Sequence, residues 1–473
     1  MFQNLKPYPA YSGAGLPWLD RYPSHWDKRR FKQVLRSVDS RSTTGEEELL
    51  TVSSARGVVP RSSQAVTMFK AASYVGHKLA SPGDLVINSL WAWGRGLGVS
   101  RHFGIVSTAY GVYRQVEPGL VDPDYLHFYV RSEPYNWELR ERSRGIWISR
   151  LQLTDDRFLT SPFVAPPIEE QRAIVTYLSH AHQRINRAIA AKQSLIKLLR
   201  EQEEAIIRET ISRGVSAAKV KESGLGWLRV IPEHWSVVAL RYLATLGNGS
   251  TPARSNPAYW TDGSFPWLNS AVVNQGVVRK SDQFVTDIAL AECHLPIVAP
   301  GSVLVGITGQ GRTRGMAALL EVPATVNQHL AYMTPDRSQL VSDYLLLVLK
   351  AAYGELRRIS SDSGSTKGAL TVADLKAFRI PLPPIEEQFA VARAVERQVA
   401  ATRSLSARAE QEIALLVEFR TRLESEVVTG QVDVREVAAA LQPLDEAEVV
   451  AGLDQAPMEG DDEIVVEDVM EDA

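Results

Sequence analysis

The chain of 473 residues contains one cysteine, Cys293. A disulfide framework is thereby excluded, and a reducing cytosol is the expected setting. Long hydrophobic runs are also missing. The longest, Tyr344–Leu349, is far too short to span a bilayer, and the N-terminal MFQNLKPYPAYSGAG has no apolar core of signal-peptide length. A soluble, cytoplasmic protein with no membrane partner is the expectation. Paired histidine spacing is absent too, so with a single cysteine no metal site is expected. No nucleophile–base arrangement stands out, and no catalytic residue is assigned.

Charge of one sign is scarce only at one end. From Glu436 onward there are 13 acidic residues and no Lys or Arg, whereas the rest of the chain carries 52 basic against 42 acidic residues, about +10. The tail reads as disordered, and the basic body points weakly to a polyanion.

What the chain does have is itself, twice. GLPWLDRYPSHW at Gly15–Trp26 matches GLGWLRVIPEHW at Gly224–Trp235 in seven of twelve positions, 209 residues apart. PGDLVIN from Pro82 pairs with PGSVLVG from Pro300, and DYLHFYV from Asp124 with DYLLLVL from Asp343. The hexapeptide PPIEEQ occurs at Pro166–Gln171 and again at Pro383–Gln388, 217 residues on. Drifting offsets followed by a fixed one indicate two diverged copies of one unit, with small loop insertions in its first part.

Each PPIEEQ opens a stretch of about 45 residues, Ile168–Ser212 and Ile385–Thr429, that aligns without a gap. With Ile168 as heptad position a, the seam runs through Val175, Leu178, His182, Ile185, Ile189, Ile196 and Leu199; the second copy gives Val395, Val399, Ala409, Ile413, Leu416 and Leu423. That is coiled-coil spacing. Proline fits the first helical turn and the two glutamates face the positive end of the helix dipole, so the hexapeptide reads as a helix start. Two such helices, each about 67 Å long at 1.5 Å per residue, are expected to pack antiparallel as a spacer between two globular heads.

The heads read as α+β. GDLVIN (Gly83–Asn88) and SVLVGI (Ser302–Ile307) have strand character after a Pro-Gly turn; DPDYLHFYVRS and VSDYLLLVLKAAYGELRR have helix character. Arginine, glycine and aromatics gather in four loops at matching stations. The first head has NSLWAWGRGLGVSRHFG, with Arg95 and Arg101, and RERSRGIWISR, with Arg144 and Arg150. The second has GITGQGRTRGM, with Arg312 and Arg314, and LRRISSDSGSTKG, with Ser365 and Lys367. Arginine reaches guanine edges and phosphates, hydroxyls anchor phosphates, and glycine admits close approach, so these eight residues are the candidate contacts to double-stranded DNA. Other motifs fail on spacing. GQGRTRG is no dinucleotide fingerprint, WGRGLG does not end in GK[ST], and NPAY at Asn256–Tyr259 lacks the second proline of the adenine-methyltransferase motif.

From about Gly15 to Val434 the chain resembles the DNA-specificity subunits of type I restriction–modification systems. The resemblance rests on VAPPIEEQ and PLPPIEEQ, on IPEHW, on TPARSNPAYWTDGSFPWLN at Thr251–Asn269, on SGSTKGALTVADLKAFRIPLPPIEEQ, and on VVTGQVDVRE. It implies two target-recognition domains, each reading half of a split sequence, separated by two long antiparallel coiled-coil helices in a pseudo-two-fold repeat. The expected boundaries are 1–163 for the first such domain, 164–214 for the first spacer helix, 215–381 and 382–433 for the second pair, and 434–473 for the acidic tail. It also implies partners: two modification subunits that methylate adenine and a restriction subunit that cuts. S-adenosylmethionine, ATP and Mg belong on those partners, with no cofactor in this chain. The first head departs from the pattern, since RGIWISRLQLTDDRF at Arg144–Phe158 lacks the Gly-Ser-Thr-Lys loop of the second. Two other readings stay open: a coiled-coil scaffold that reads no DNA, and a self-contained adenine methyltransferase.

Overall fold

The computed structural model describes residues 5–63, 73–145, 151–216, 218–309, 311–361, 368–442, 444–445 and 447–449. They form two compact units, one within Met1–Ser194 and Ala409–Ala473, the other within Leu195–Arg408. Each unit is a head together with parts of both long helices. The first long helix, Ile168–Arg213, starts in the first unit and passes into the second; the other, Ile385–Val428, starts in the second and passes into the first.

The first unit opens with the hairpin Tyr11–Leu16/Leu19–Pro23. Strand Asp27–Arg30 then pairs antiparallel with Pro162–Ala165, the last strand before the long helix. Between these lies a four-stranded antiparallel sheet in the order Leu35–Ser37, Tyr110–Gln115, Leu85–Asn88, Leu97–Val99. Helices Pro123–Arg131, Glu133–Arg142 and Asp155–Leu159 cover it. Their contact is aromatic: Phe31 stacks on Phe158 at 4.8 Å between ring centres and sits beside Tyr129, Tyr135 and Phe163. The second unit repeats the plan. Its hairpin is Val220–Leu225/Leu228–Pro232, its closing pair is Ser236–Ala239 with Arg379–Leu382, and its sheet has the same four stations plus a fifth strand, Val277–Val278, added in parallel. The run VSDYLLLVLKAAYGELRR breaks into two helices, Ser342–Ala351 and Tyr353–Ser361, where the first copy breaks at Ser132. In both copies the second helix packs beside a loop that it then secures.

The hexapeptide does more than start a helix. Gln171 is buried; its Oε1 accepts from Asp122 N (2.8 Å) and its Nε2 donates to Pro166 O (2.9 Å). Gln388 does the same with Val341 N (2.8 Å) and Pro383 O (3.0 Å). Each glutamine thus ties the long helix to the segment that launches the head's own helix pair. The glutamate before it reaches the repeated hairpin. Glu170 accepts from Tyr8 Oη (2.6 Å) and Trp26 Nε1 (3.0 Å) and pairs with His25 Nε2 (2.7 Å); Glu387 pairs with His234 Nε2 (2.8 Å). The two histidines therefore serve carboxylates.

Within the first unit the two long helices run antiparallel, as Asn186 with Arg420 (2.9 Å) and Lys192 with Glu412 record; within the second, Arg403 donates to Glu203 at 2.7 Å. The first unit also takes in the end of the returning helix and the segment after it. Leu423, Val427, Val428 and Val434 enter its core, and Lys6 forms an antiparallel bridge with Asp433.

The seam is not equally apolar in both units. Buried Glu424 lies 3.7 Å from His182 Nε2, whereas the positions 217 residues away, Val399 and Ile207, are buried aliphatics. Burial raises the Glu424 carboxyl from 4.5 to about 7, against the pull of Arg95, Arg131 and Arg420. The folded state therefore holds a proton that the unfolded chain releases above its ordinary value. Stability contributed here is present below pH 4.5 and lost as pH rises through about 7. Glu424→Gln is expected to remove that dependence and to stabilise the first unit at pH 8 by up to about 3 kcal/mol. Denaturant midpoints at pH 5 and pH 8 measure it; parallel pH curves for parent and variant would refute the assignment.

Candidate nucleic-acid interface

Each head brings its two arginine-bearing loops together, and by the same bond. In the second unit, strand Val303–Gly306 runs into the glycine-rich loop and Leu370 N, just past the second loop, donates to Ile307 O (2.8 Å). In the first, strand Leu85–Asn88 runs into the tryptophan-rich loop and Leu153 N donates to Ser89 O (2.9 Å). Edge-on contact between a post-strand residue and a pre-helix residue thus fixes both loop pairs at the end of the central sheet.

In the second unit the glycine-rich loop is held from behind by helix Tyr353–Ser361. Tyr353 Oη donates to Arg312 O (2.9 Å) and Arg357 Nη1 to Gly311 O (2.6 Å). With its carbonyls engaged, the loop leaves the Arg312 side chain exposed. Arg314 behaves differently from the sequence-based expectation of a surface contact: it is only 7% exposed. Its guanidinium lies over Gly368, where an added Cβ would sit 1.9 Å from Nη1. Gly368 is also left-handed (φ 50°), so the end of the serine-rich loop must be glycine for two reasons. Arg314 therefore links the two loops. Ser365 and Lys367 lie outside the described residues.

Beside these loops stands a polar chain that sequence reasoning did not single out. Thr251 Oγ1 donates to Gln328 Oε1 (2.7 Å), Gln328 Nε2 lies 3.1 Å from His329 Nε2, and His329 Nδ1 lies 2.8 Å from Thr308 Oγ1. With the Gln328 amide donating to Nε2, the ring's Nδ1–H is left to donate to the Thr308 hydroxyl oxygen. The available signal was the run Asn327–Gln328–His329, three amide and imidazole side chains directly before a buried strand. Nearby, the Arg254 guanidinium stacks 3.9 Å from the Trp260 ring and donates to Gln283 Oε1 (2.7 Å).

In the first unit Trp91 packs onto its own loop so closely that a Cβ on Gly94 would fall 2.2 Å from Nε1. Arg95 caps the short turn Ala92–Gly94 and pairs with Glu133; Arg101 pairs with Asp124. Buried Arg131 is the brace, donating from Nη1 to Leu97 O (2.7 Å) and Arg95 O (3.3 Å). Burial and the nearby Arg131 and Arg101 charges hold neighbouring His127 well below its ordinary value, so it is neutral. Arg144 is exposed and bridges antiparallel to Gln152. Arg150 lies outside the described residues. The structure thus places Arg95 and Arg144 on the two loops joined at this junction, whereas Arg101 lies past strand Leu97–Val99, beside the start of strand Leu85–Asn88 at the other end of the sheet. Arg95 and Arg101 are each tethered by an acid of their own chain. Among the described residues no group of three or more His, Cys, Asp or Glu side chains converges as a metal site, and no helix is long and apolar enough to cross a membrane.

Comparison with known proteins gives a consistent picture. Residues 232–415 match the family model of the type I restriction modification DNA specificity domain. The specificity subunit of the type I restriction enzyme EcoR124I/EcoR124II from Escherichia coli is 24% identical over 168 residues, 35% of this chain and 41% of that one. The MjaIX specificity subunit from Methanocaldococcus jannaschii is 29% identical over 175 residues, 36% of this chain and 39% of that one. The matched stretches thus span about two-fifths of these relatives. A solved structure described as the basis of complex assembly and conformational transition of the type I R-M system superposes with a TM-score of 0.60, covering 87% of this chain and 99% of its own at 18% identity. It shares the fold.

The loop junction makes a prediction of its own. Gly368→Ala forces a methyl into the Arg314 guanidinium and is expected to destabilise the second unit by about 1–3 kcal/mol. Adding Arg314→Ala should recover part of that loss, because the guanidinium clash disappears while the left-handed strain and a 3.2 Å approach to Ser360 O remain. Thermal unfolding of both variants checks this; a neutral Gly368→Ala would mean that the two loops are not joined there.

Proposed function

We propose that the chain is a type I restriction–modification DNA-specificity subunit, as its match to that domain's family model over residues 232–415 supports, and that it reads double-stranded DNA with two similar heads, each taking one half of a split target. The chemistry sits on partners. Two modification subunits transfer methyl groups from S-adenosylmethionine to adenine, and a restriction subunit cleaves with ATP and Mg. This chain supplies the address.

The observation that carries the reading is the doubled loop junction. A sequence reader needs side chains that reach base edges from a rigid base, and here paired loops are fixed to the end of a sheet in both units by the same backbone bond. Exposed Arg312 suits bidentate contact with guanine, and the amide and imidazole of Gln328 and His329 offer donors and acceptors beside it. A scaffold that ignores DNA has no use for that duplication. Against a resident methyltransferase stands Asn256 of NPAY, whose side chain caps its own turn by accepting from Ala258 N at 3.1 Å.

Co-expression with the modification subunits, followed by mapping N6-methyladenine in the host DNA, tests the proposal. A split motif with a fixed gap and methylated adenines in both halves is expected. Arg312→Ala should then relax one half alone, at about 1–3 kcal/mol of discrimination for the base concerned. Scattered methylation from a stable complex would remove the reading role, and equal loss in both halves would mark Arg312→Ala as a folding defect.

A further inference from the structure

The first unit carries a cleft of about 580 Å³ whose lining includes none of the candidate contact residues named above. Five of its nine lining residues are cations, Lys28, Arg29, Arg30, Lys32 and Arg142, and none is acidic. Strand Asp27–Arg30 supplies three of them and is exposed along its whole length. It pairs on one side only, with Pro162–Ala165, among the described residues. Arg142 is aimed from the last turn of its helix and anchored by Glu138 at 2.5 Å. Lys28 is held by a bond to Ala14 O (2.6 Å), and the Arg29–Asp27 pair is open to solvent. Such an exposed pair costs little to open.

The second unit serves as an internal control. At the same station strand Ser236–Ala239 pairs in the same way with Arg379–Leu382, and its residues are Ser, Val, Val and Ala. The fold therefore needs no charge there. Edge strands often carry Lys to deter pairing with other strands, but the second unit keeps the same one-sided strand without it. Concentrating like charge in one cleft is unfavourable until an anion enters it.

We propose that this cleft binds the phosphate backbone of duplex DNA beside the half-site read by the first head, giving that head a sequence-independent hold that the second lacks. The inference rests on the DNA-reading function proposed above. A strand-mounted row of cations is preformed, and so is a duplex; their meeting orders little. The acidic C-terminal segment carries charge of the same sign as DNA, and the test below separates the two.

The test grafts the second unit's strand onto the first in the full chain: Lys28→Val, Arg29→Val and Arg30→Ala. Binding to the target duplex and to a scrambled duplex is followed by anisotropy across a salt series. Affinity for both duplexes is expected to fall by the same factor, on the order of tenfold, with the log–log salt slope shallower by roughly one for each phosphate that the graft leaves unneutralised. The methylated motif should stay unchanged. Parent affinity and slope in the graft would overturn the proposal. So would failure of a charge-keeping variant, Arg29→Lys with Arg30→Lys, to keep most of the parent slope, since the loss would then be structural. If the loss vanishes in a chain whose nine acidic residues beyond Val450 are replaced by Asn and Gln, the cleft serves the tail. A parent that binds no duplex sinks the reading function as well; a parent that selects its target, matched by the graft, sinks this inference alone.

Discussion

A buried glutamine at the start of each long helix is the constraint on which everything else is hung. Gln171 and Gln388 each offer an amide whose oxygen and nitrogen are both satisfied by backbone groups from different parts of the same head. An amide buried without those partners would cost several kcal/mol, so only one position and rotation of the helix start meets the requirement. The adjoining glutamate adds the hairpin to the same knot through His25 or His234. Helix direction, hairpin position and the launch of the head's helix pair are thereby set together. The loops that carry the candidate contacts inherit their placement from this knot, at one remove through the central sheet.

The two copies agree in backbone and disagree in charge. Trp26 donates to Glu170 in the first unit, yet in the second Trp235 Nε1 and Glu387 Oε1 are each buried without a hydrogen-bond partner. The first unit places His182 and Glu424 in its seam where the second has Val399 and Ile207. The basic strand belongs to the first unit alone. Backbone hydrogen bonds and apolar volume define the shared fold, while polar substitutions at matched stations give each unit its own character.

Much of this is legible in the sequence. Repeats, strand–turn signals and heptads point to the α+β heads, the antiparallel helix pair and the helix starts, because periodicity and proline placement are local. The hexapeptide's second role is half visible: His25 and His234 recur alongside the glutamates, but only the fold brings residues 145 positions apart into contact. What lies out of reach depends on burial. Nothing in GQGRTRG distinguishes Arg312, exposed, from Arg314, buried over a glycine 54 positions further along the chain, Gly368. Likewise the acids that tether Arg95 and Arg101 lie on helices, Glu133 and Asp124, whose approach no spacing rule anticipates.

The route of the chain through the first unit has a consequence for its birth on the ribosome. The second unit is one continuous segment, Leu195–Arg408, and can condense as soon as it emerges. The first is not: its core requires Leu423, Val427, Val428 and Val434, and its opening segment is stapled by Asp433. At typical elongation rates, the span from Ser194 to Val434 takes on the order of ten to fifty seconds. Throughout that interval the earlier-made head waits with apolar surface uncovered, until residues 423–434 emerge and complete its core. Translation that stops short therefore leaves the earlier half unfinished while the later half stands intact.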